Sequence, residues 1–168
     1  MLVPIGVAFA AILGGAAAPS ESAQPTTTVQ GYGLSIVLPE SWEGRVNRAS
    51  PDDAIALEAS TVPLPPLGEV MTGDRLGSDD AYILVNDIGT LGVFDARLRI
   101  TIDPRDIAGP WQGGFPAGAS FAASVNDRDL MIWVRFGSSP NPGDLEAVNE
   151  ILATFSAAPP DYPRSPAK

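Results

Sequence analysis

The chain of 168 residues contains no cysteine and no histidine. Without thiols there are no disulfides and no thiolate nucleophile. Without imidazole it lacks both the side chain best suited to moving protons near neutral pH and the commonest ligand for zinc, copper and iron. Lysine is nearly absent as well: Lys168, the last residue, accompanies nine scattered arginines. Nucleic-acid binding rests on clustered cations that displace condensed counterions, and a net charge of −10 opposes it. No Gly-x-Ser-x-Gly elbow, phosphate-binding glycine loop or Ser-x-x-Lys pattern occurs in the sequence. These absences predict a protein that is not an enzyme, with no catalytic residues, no metal site and no cofactor.

Charge is also missing from the first 18 residues, so the whole imbalance belongs to residues 19–168. Residues 2–18 (LVPIGVAFAAILGGAAA) form an apolar run ending in small residues, the pattern of a signal peptide. At about 17 residues it is at the short end for a bilayer span. Cleavage after Ala17 is expected, with an uncleaved N-terminal anchor as the alternative, because only the N-terminal amine precedes the run as a positive charge. Export to the cell envelope or medium is expected in either case. Residues 19–30 (PSESAQPTTTVQ) lack apolar periodicity and read as a flexible tether, and residues 156–168, rich in proline, as a disordered tail. A single globular domain is expected over residues 31–155, a length that can bury a core without covalent staples.

Within it, Tyr32–Leu38 alternates apolar residues on one side of a strand that Pro39 stops, and Trp42 is expected to fold back over the core. Ala54–Thr61 reads as a strand leaving into the proline-rich segment Val62–Gly68, where Leu64 and Leu67 either tuck onto the domain or form an exposed edge. Ala81–Val85 and Arg97–Ile102 read as further strands, and the Gly- and Pro-rich stretch from Ile102 to Ser120 as a long irregular loop carrying Trp111 and Phe115. Ser120–Val125 and Leu130–Phe136 flank Asn126-Asp127-Arg128-Asp129 and predict a hairpin. Leu130, Ile132, Val134 and Phe136 share one face, and Met131, Trp133 and Arg135 the other. Leu145, Val148, Ile151, Leu152 and Phe155 recur at steps of three and four, which predicts an amphipathic helix over Gly143–Phe155, opened by Asn141 or Gly143. Strands followed by one terminal helix indicate an α+β fold, an antiparallel β-sheet with helical cover.

The opening Gly31-Tyr32-Gly33-Leu34-Ser35-Ile36-Val37-Leu38-Pro39, followed by Trp42, resembles the start of PsbP-like domains, and the closing hairpin and helix are similar to theirs. The resemblance implies a PsbP-like α/β/α sandwich of an exported bacterial protein. It carries no functional residue onto this chain, and fold alone does not supply function.

Carboxylates are the one plentiful reactive group. Asp52-Asp53, Asp79-Asp80 and Asp127 with Asp129 form close pairs, yet no stretch follows a calcium-loop pattern, and solvated turn carboxylates are the expectation. Trp111 and Phe115 in the long loop, with Met131 and Trp133 on the outer face of the last strand, are the candidate binding residues, since an exposed apolar patch marks a recognition surface. The alternative is that a helix or the long loop covers this face. The expected function is a secreted or envelope-tethered binding or accessory domain. Its partner would be an envelope or extracellular protein or a small apolar ligand, with no nucleic acid and membrane contact only through residues 1–18. A carboxylate-dependent, glycosidase-like hydrolase and a structural subunit of an envelope complex are the competing readings.

Overall fold

The computed structural model describes residues 25–48, 54–90, 92, 94, 100–111 and 113–160. The apolar segment 1–18, most of the expected tether, the Asp52-Asp53 pair and the end of the proline-rich tail lie outside the described residues. Among the described residues, eight strands and one α-helix make an α+β arrangement of antiparallel sheets: β1 (Thr26–Gly31), β2 (Leu34–Pro39), β3 (Glu43–Asn47), β4 (Ile55–Ser60), β5 (Ala81–Asp87), β6 (Ala117–Val125), β7 (Arg128–Phe136), α1 (Pro142–Ala153) and β8 (Ser156–Ala157). One sheet runs β1-β2-β8, the other β3-β4-β5-β7-β6.

Several boundaries differ from the sequence expectation, and β3 and the start of β6 at Ala117 lie outside the expected strands. Thr26–Gln30, placed in the tether, form β1, which pairs antiparallel with β2 from Thr26↔Pro39 to Gly31↔Leu34. Its threonines and valine are good strand formers, and their pairing with an apolar neighbour offsets the missing alternation. Tyr32 and Gly33 are therefore a two-residue turn, both at positive φ, rather than the start of a strand. Ser156–Ala157, placed in the tail, form β8 against Leu34 and Ser35. Beyond it the Thr154 hydroxyl takes over the exposed edge of β2, accepting from Val37 N at 2.9 Å while it donates to Ile151 O at 2.7 Å, with Val37 O 3.3 Å away. Of the expected strand Arg97–Ile102, residues 97–99 lie outside the described residues. Ile100 and Ile102 are buried but carry no sheet ladder; the side chain of Asn149 pairs instead with both backbone groups of Ile102.

The main core lies on the inner face of the five-stranded sheet. Leu57, Ile83, Val85, Leu130, Ile132, Val134 and Phe136 from that face meet Leu34, Ile36 and Leu38 of β2 and Leu145, Val148, Ile151 and Leu152 of α1, all buried. Period-2 and period-3.6 patterns thus converge on one interior. Trp42 packs half-buried against it. The predicted hairpin is present with a shorter turn: Asn126 and Asp127, both at positive φ, are the two loop residues, and Arg128 and Asp129 already belong to β7. The helix starts where its cap stands: the Asn141 side chain accepts from Gly143 N and Asp144 N, and the Asp144 carboxylate returns to Asn141 N.

Candidate functional site

The outer face of the five-stranded sheet is read from its register. Residues opposite one another form rows across the strands: Arg45, Glu58, Leu84, Trp133 and Ser120 in one, with Ser60, Tyr82, Arg135 and Gly118 beside it on one flank and Asn47, Ala56, Asn86, Met131 and Ala122 on the other. Two loops lie over one end of this face. Met71, Leu76, Tyr82 and Phe115 are buried together there, with Val62, Leu64, Leu84 and Trp111 packed against them, and the Tyr82 and Phe115 rings stack at 6.5 Å, 4° from parallel. Gly73 N donates to Gly113 O at 2.8 Å and so joins the two loops. A side chain on Gly73 would collide with the carbonyl of Gly114.

Between the loops and the uncovered part of the sheet runs a groove of about 610 Å³, within the usual range for small-molecule sites, roughly 300–1,000 Å³. Its apolar walls are Leu67, Val70, Met71, Leu84, Phe115 and Trp133, and Arg45, Asn47, Glu58, Tyr82, Asn86 and Arg135 also line it. Leu67 and Val70 are 72% and 76% exposed at the rim, two of the three large apolar side chains most open to water among the described residues. Leu64 tucks in, whereas Leu67 is left out, so the proline-rich segment satisfies both of its expected readings at once.

At one end Glu58, 7% exposed, spends both oxygens: Oε2 accepts from Arg45 Nε at 2.6 Å and Asn47 Nδ2 at 2.8 Å, and Oε1 accepts from Tyr82 OH at 2.8 Å. Burial first, then the Glu58 charge and its hydrogen bond, push the Tyr82 hydroxyl well above its ordinary range, so it stays protonated and donates. Arg45 also donates to Pro65 O at 2.5 Å, which ties the proline-rich segment to the sheet. At the other end Arg135, 8% exposed, lies across β6 over Gly118; a Cβ there would come within 2.4 Å of Val134 O and 3.0 Å of Arg135 Cδ. Its guanidinium carbon sits 4.3 Å from the Trp111 ring centre and 5.8 Å from that of Phe115, a cation–π arrangement. The Trp111 indole N–H donates to Ala108 O and Gly118 O, which fixes the ring as the platform.

The four residues proposed from sequence therefore take different parts. Phe115 and Trp133 line the groove; Trp111 stands behind Arg135, and Met131 lies on the same sheet face without lining the groove. Phe115 is buried rather than exposed. Arg45, Glu58 and Tyr82 escape a reading of the sequence because only register brings them together, although a glutamate within the apolar run AIALEAS at an outward position is the signal that points to them.

The acidic pairs divide similarly. Asp80 closes a turn, accepting from Gly77 N and Thr61 Oγ1 at 2.7 Å each. Asp129 is not a solvated turn residue: it is 1% exposed, with Oδ2 accepting from Gly92 N at 2.6 Å and Oδ1 without a hydrogen bond. No three acidic side chains gather into a metal-binding cluster among the described residues.

A second cavity, about 580 Å³, lies between residues 101–107 and the start of α1, lined by Ile102, Pro104, Ile107, Pro140 and Leu145. Its walls carry no buried charge, and the Asn149 amide there is consumed by Ile102. Convergent polar groups beside apolar walls distinguish binding sites from mere clefts, so the sheet groove is the candidate. Comparison with protein-family models, curated proteins and solved structures finds no match to the chain.

Proposed function

We propose that the protein is a non-enzymatic binding domain that holds a small, largely apolar ligand in the groove on the outer face of its five-stranded sheet. The observation that carries this reading is the combination, in one cavity, of the exposed rim residues Leu67 and Val70, the half-buried Trp133 and a fully engaged polar network around Glu58. Exposed apolar surface is costly in water, and covering it on binding contributes about 25 cal/mol per Å². Both oxygens of the Glu58 carboxylate are taken up by Arg45, Asn47 and Tyr82, which supports an anchoring role over the carboxylate-hydrolase alternative.

The apolar segment 1–18 supports placement in the cell envelope or outside the cell, and no helix among the described residues is long and apolar enough to cross a membrane. The strand and Leu-Pro-x-x-Trp opening, with the closing hairpin and helix, supports a PsbP-like architecture as part of this proposal. The test is titration of the full chain with the neutral fluorophore N-phenyl-1-naphthylamine. Binding is expected, weakened at least about tenfold by Val70→Asp and by Trp133→Ala, which remove about 1.4 kcal/mol or more. Equal binding by wild type and both variants would reject the groove as the site.

A further inference from the structure

The groove is lined by two arginines and two glutamates, Arg45, Arg135, Glu58 and Glu69. Glu58 is paired with Arg45 at 2.6 Å, and Glu69 with Arg75 at 3.1 Å. That leaves Arg135, which makes no ion pair among the described residues. Its hydrogen bonds come from a single nitrogen: Nη1 donates to Ala119 O at 3.0 Å and Val134 O at 3.1 Å. The Nε–Nη2 edge makes no hydrogen bond to a described residue. This edge is the one that binds a carboxylate through two parallel N–H···O bonds.

A guanidinium removed from water without a counter-ion is a costly arrangement, and the stacked Trp111 ring offsets only part of it. Burial lowers the affinity of Arg135 for its proton, and no carboxylate of the described residues pairs with it. Four features hold this uncompensated cation in place: Gly118 beneath it, Trp111 behind it, and the carbonyls of Ala119 and Val134 on one edge. The apolar walls Leu84, Phe115 and Trp133 share the groove with it.

Resting on the reading of the groove as a binding site, we infer that its ligand is a monoanionic amphiphile whose carboxylate pairs with the Nε–Nη2 edge of Arg135 while its apolar part lies along Leu84, Trp133, Val70 and Leu67. The net charge of −10 repels such a ligand at long range, but salt at physiological strength screens this beyond about 8 Å. The local guanidinium decides the outcome.

The experiment compares decanoate with decanol, equal in chain and different in charge, by displacement of N-phenyl-1-naphthylamine from the full-length protein. Wild type is expected to prefer decanoate on the order of tenfold to a hundredfold, the range for hydrogen bonds to a charged partner. Arg135→Gln removes the preference while decanol still displaces the dye, and Arg135→Lys, which keeps the charge without the fork, retains only part of it. Because the first comparison uses wild type alone, it decides even where Arg135 variants fold poorly. Equal displacement by both probes overturns the carboxylate assignment and leaves the groove standing. Displacement by neither, with no dye bound, overturns both.

Discussion

Tyr82 shows how a single residue joins stability to the site. Its hydroxyl donates to Glu58 and its ring stacks on Phe115, so both the polar anchor and the loop cover depend on it. An unfolded tyrosine ionises near pH 10, whereas burial keeps this one protonated well above that. Above about pH 10 the folded state therefore holds one more proton than the unfolded state, and stability falls as pH rises. Thermal unfolding followed from pH 8 to 11.5 is expected to show this alkaline loss in wild type. In Tyr82→Phe the slope is shallower, on a starting stability lower by about 1–3 kcal/mol because Glu58 Oε1 loses its donor. Superimposable slopes would contradict the assignment.

The elements are joined by a buried ion pair that is remote from the groove. Arg128 and Asp87, with side chains 3% and 1% exposed, are in direct contact. Arg128 Nε also donates to Ala158 O at 2.6 Å, and Asn126 Nδ2 to Ala157 O at 2.7 Å. The pair thus fastens the β6–β7 hairpin to the chain beyond β8, and Gly33, at positive φ, leaves room for the guanidinium. Removing one partner leaves the other buried and uncompensated, so Asp87→Asn is expected to cost about 3–5 kcal/mol in denaturant unfolding. Asp87→Leu combined with Arg128→Met should cost clearly less than the sum of the single changes. An additive result would mean that the two side chains do not act as a unit.

The elements themselves are largely legible in the sequence: alternation marks β2, β4 and the hairpin strand β7, a short apolar run marks β5, and the three-four spacing marks α1. β1, β3 and β8 are not, since Thr26–Thr28 are exposed, Glu43–Asn47 has Val46 as its one large apolar side chain, and Ser156–Ala157 is too short to carry a pattern. The face holding Met131, Trp133 and Arg135 is legible as well. Its cover is legible in part: the long loop is one expected cover and supplies Trp111 and Phe115, whereas Met71 and Leu76 come from a segment without periodicity and join them only through tertiary contact.

At the scale of the whole molecule, the two faces of one sheet do different work. The inner face is closed by β2 and α1 into the main core, and the outer face is half-closed by loops, which leaves an apolar groove between a fully paired carboxylate and a guanidinium edge that no carboxylate of the described residues meets. The proposed recognition on a sheet floor with a loop wall would need no proton transfer.

The most direct measurement is a backbone amide chemical-shift titration of the isotope-labelled full chain with decanoate. The account predicts the largest shifts in β4, β5 and β7 around Glu58, Leu84 and Trp133 and in the 67–71 segment. Shifts confined to residues 101–107 and the first turns of α1, lining the other cavity, would contradict it.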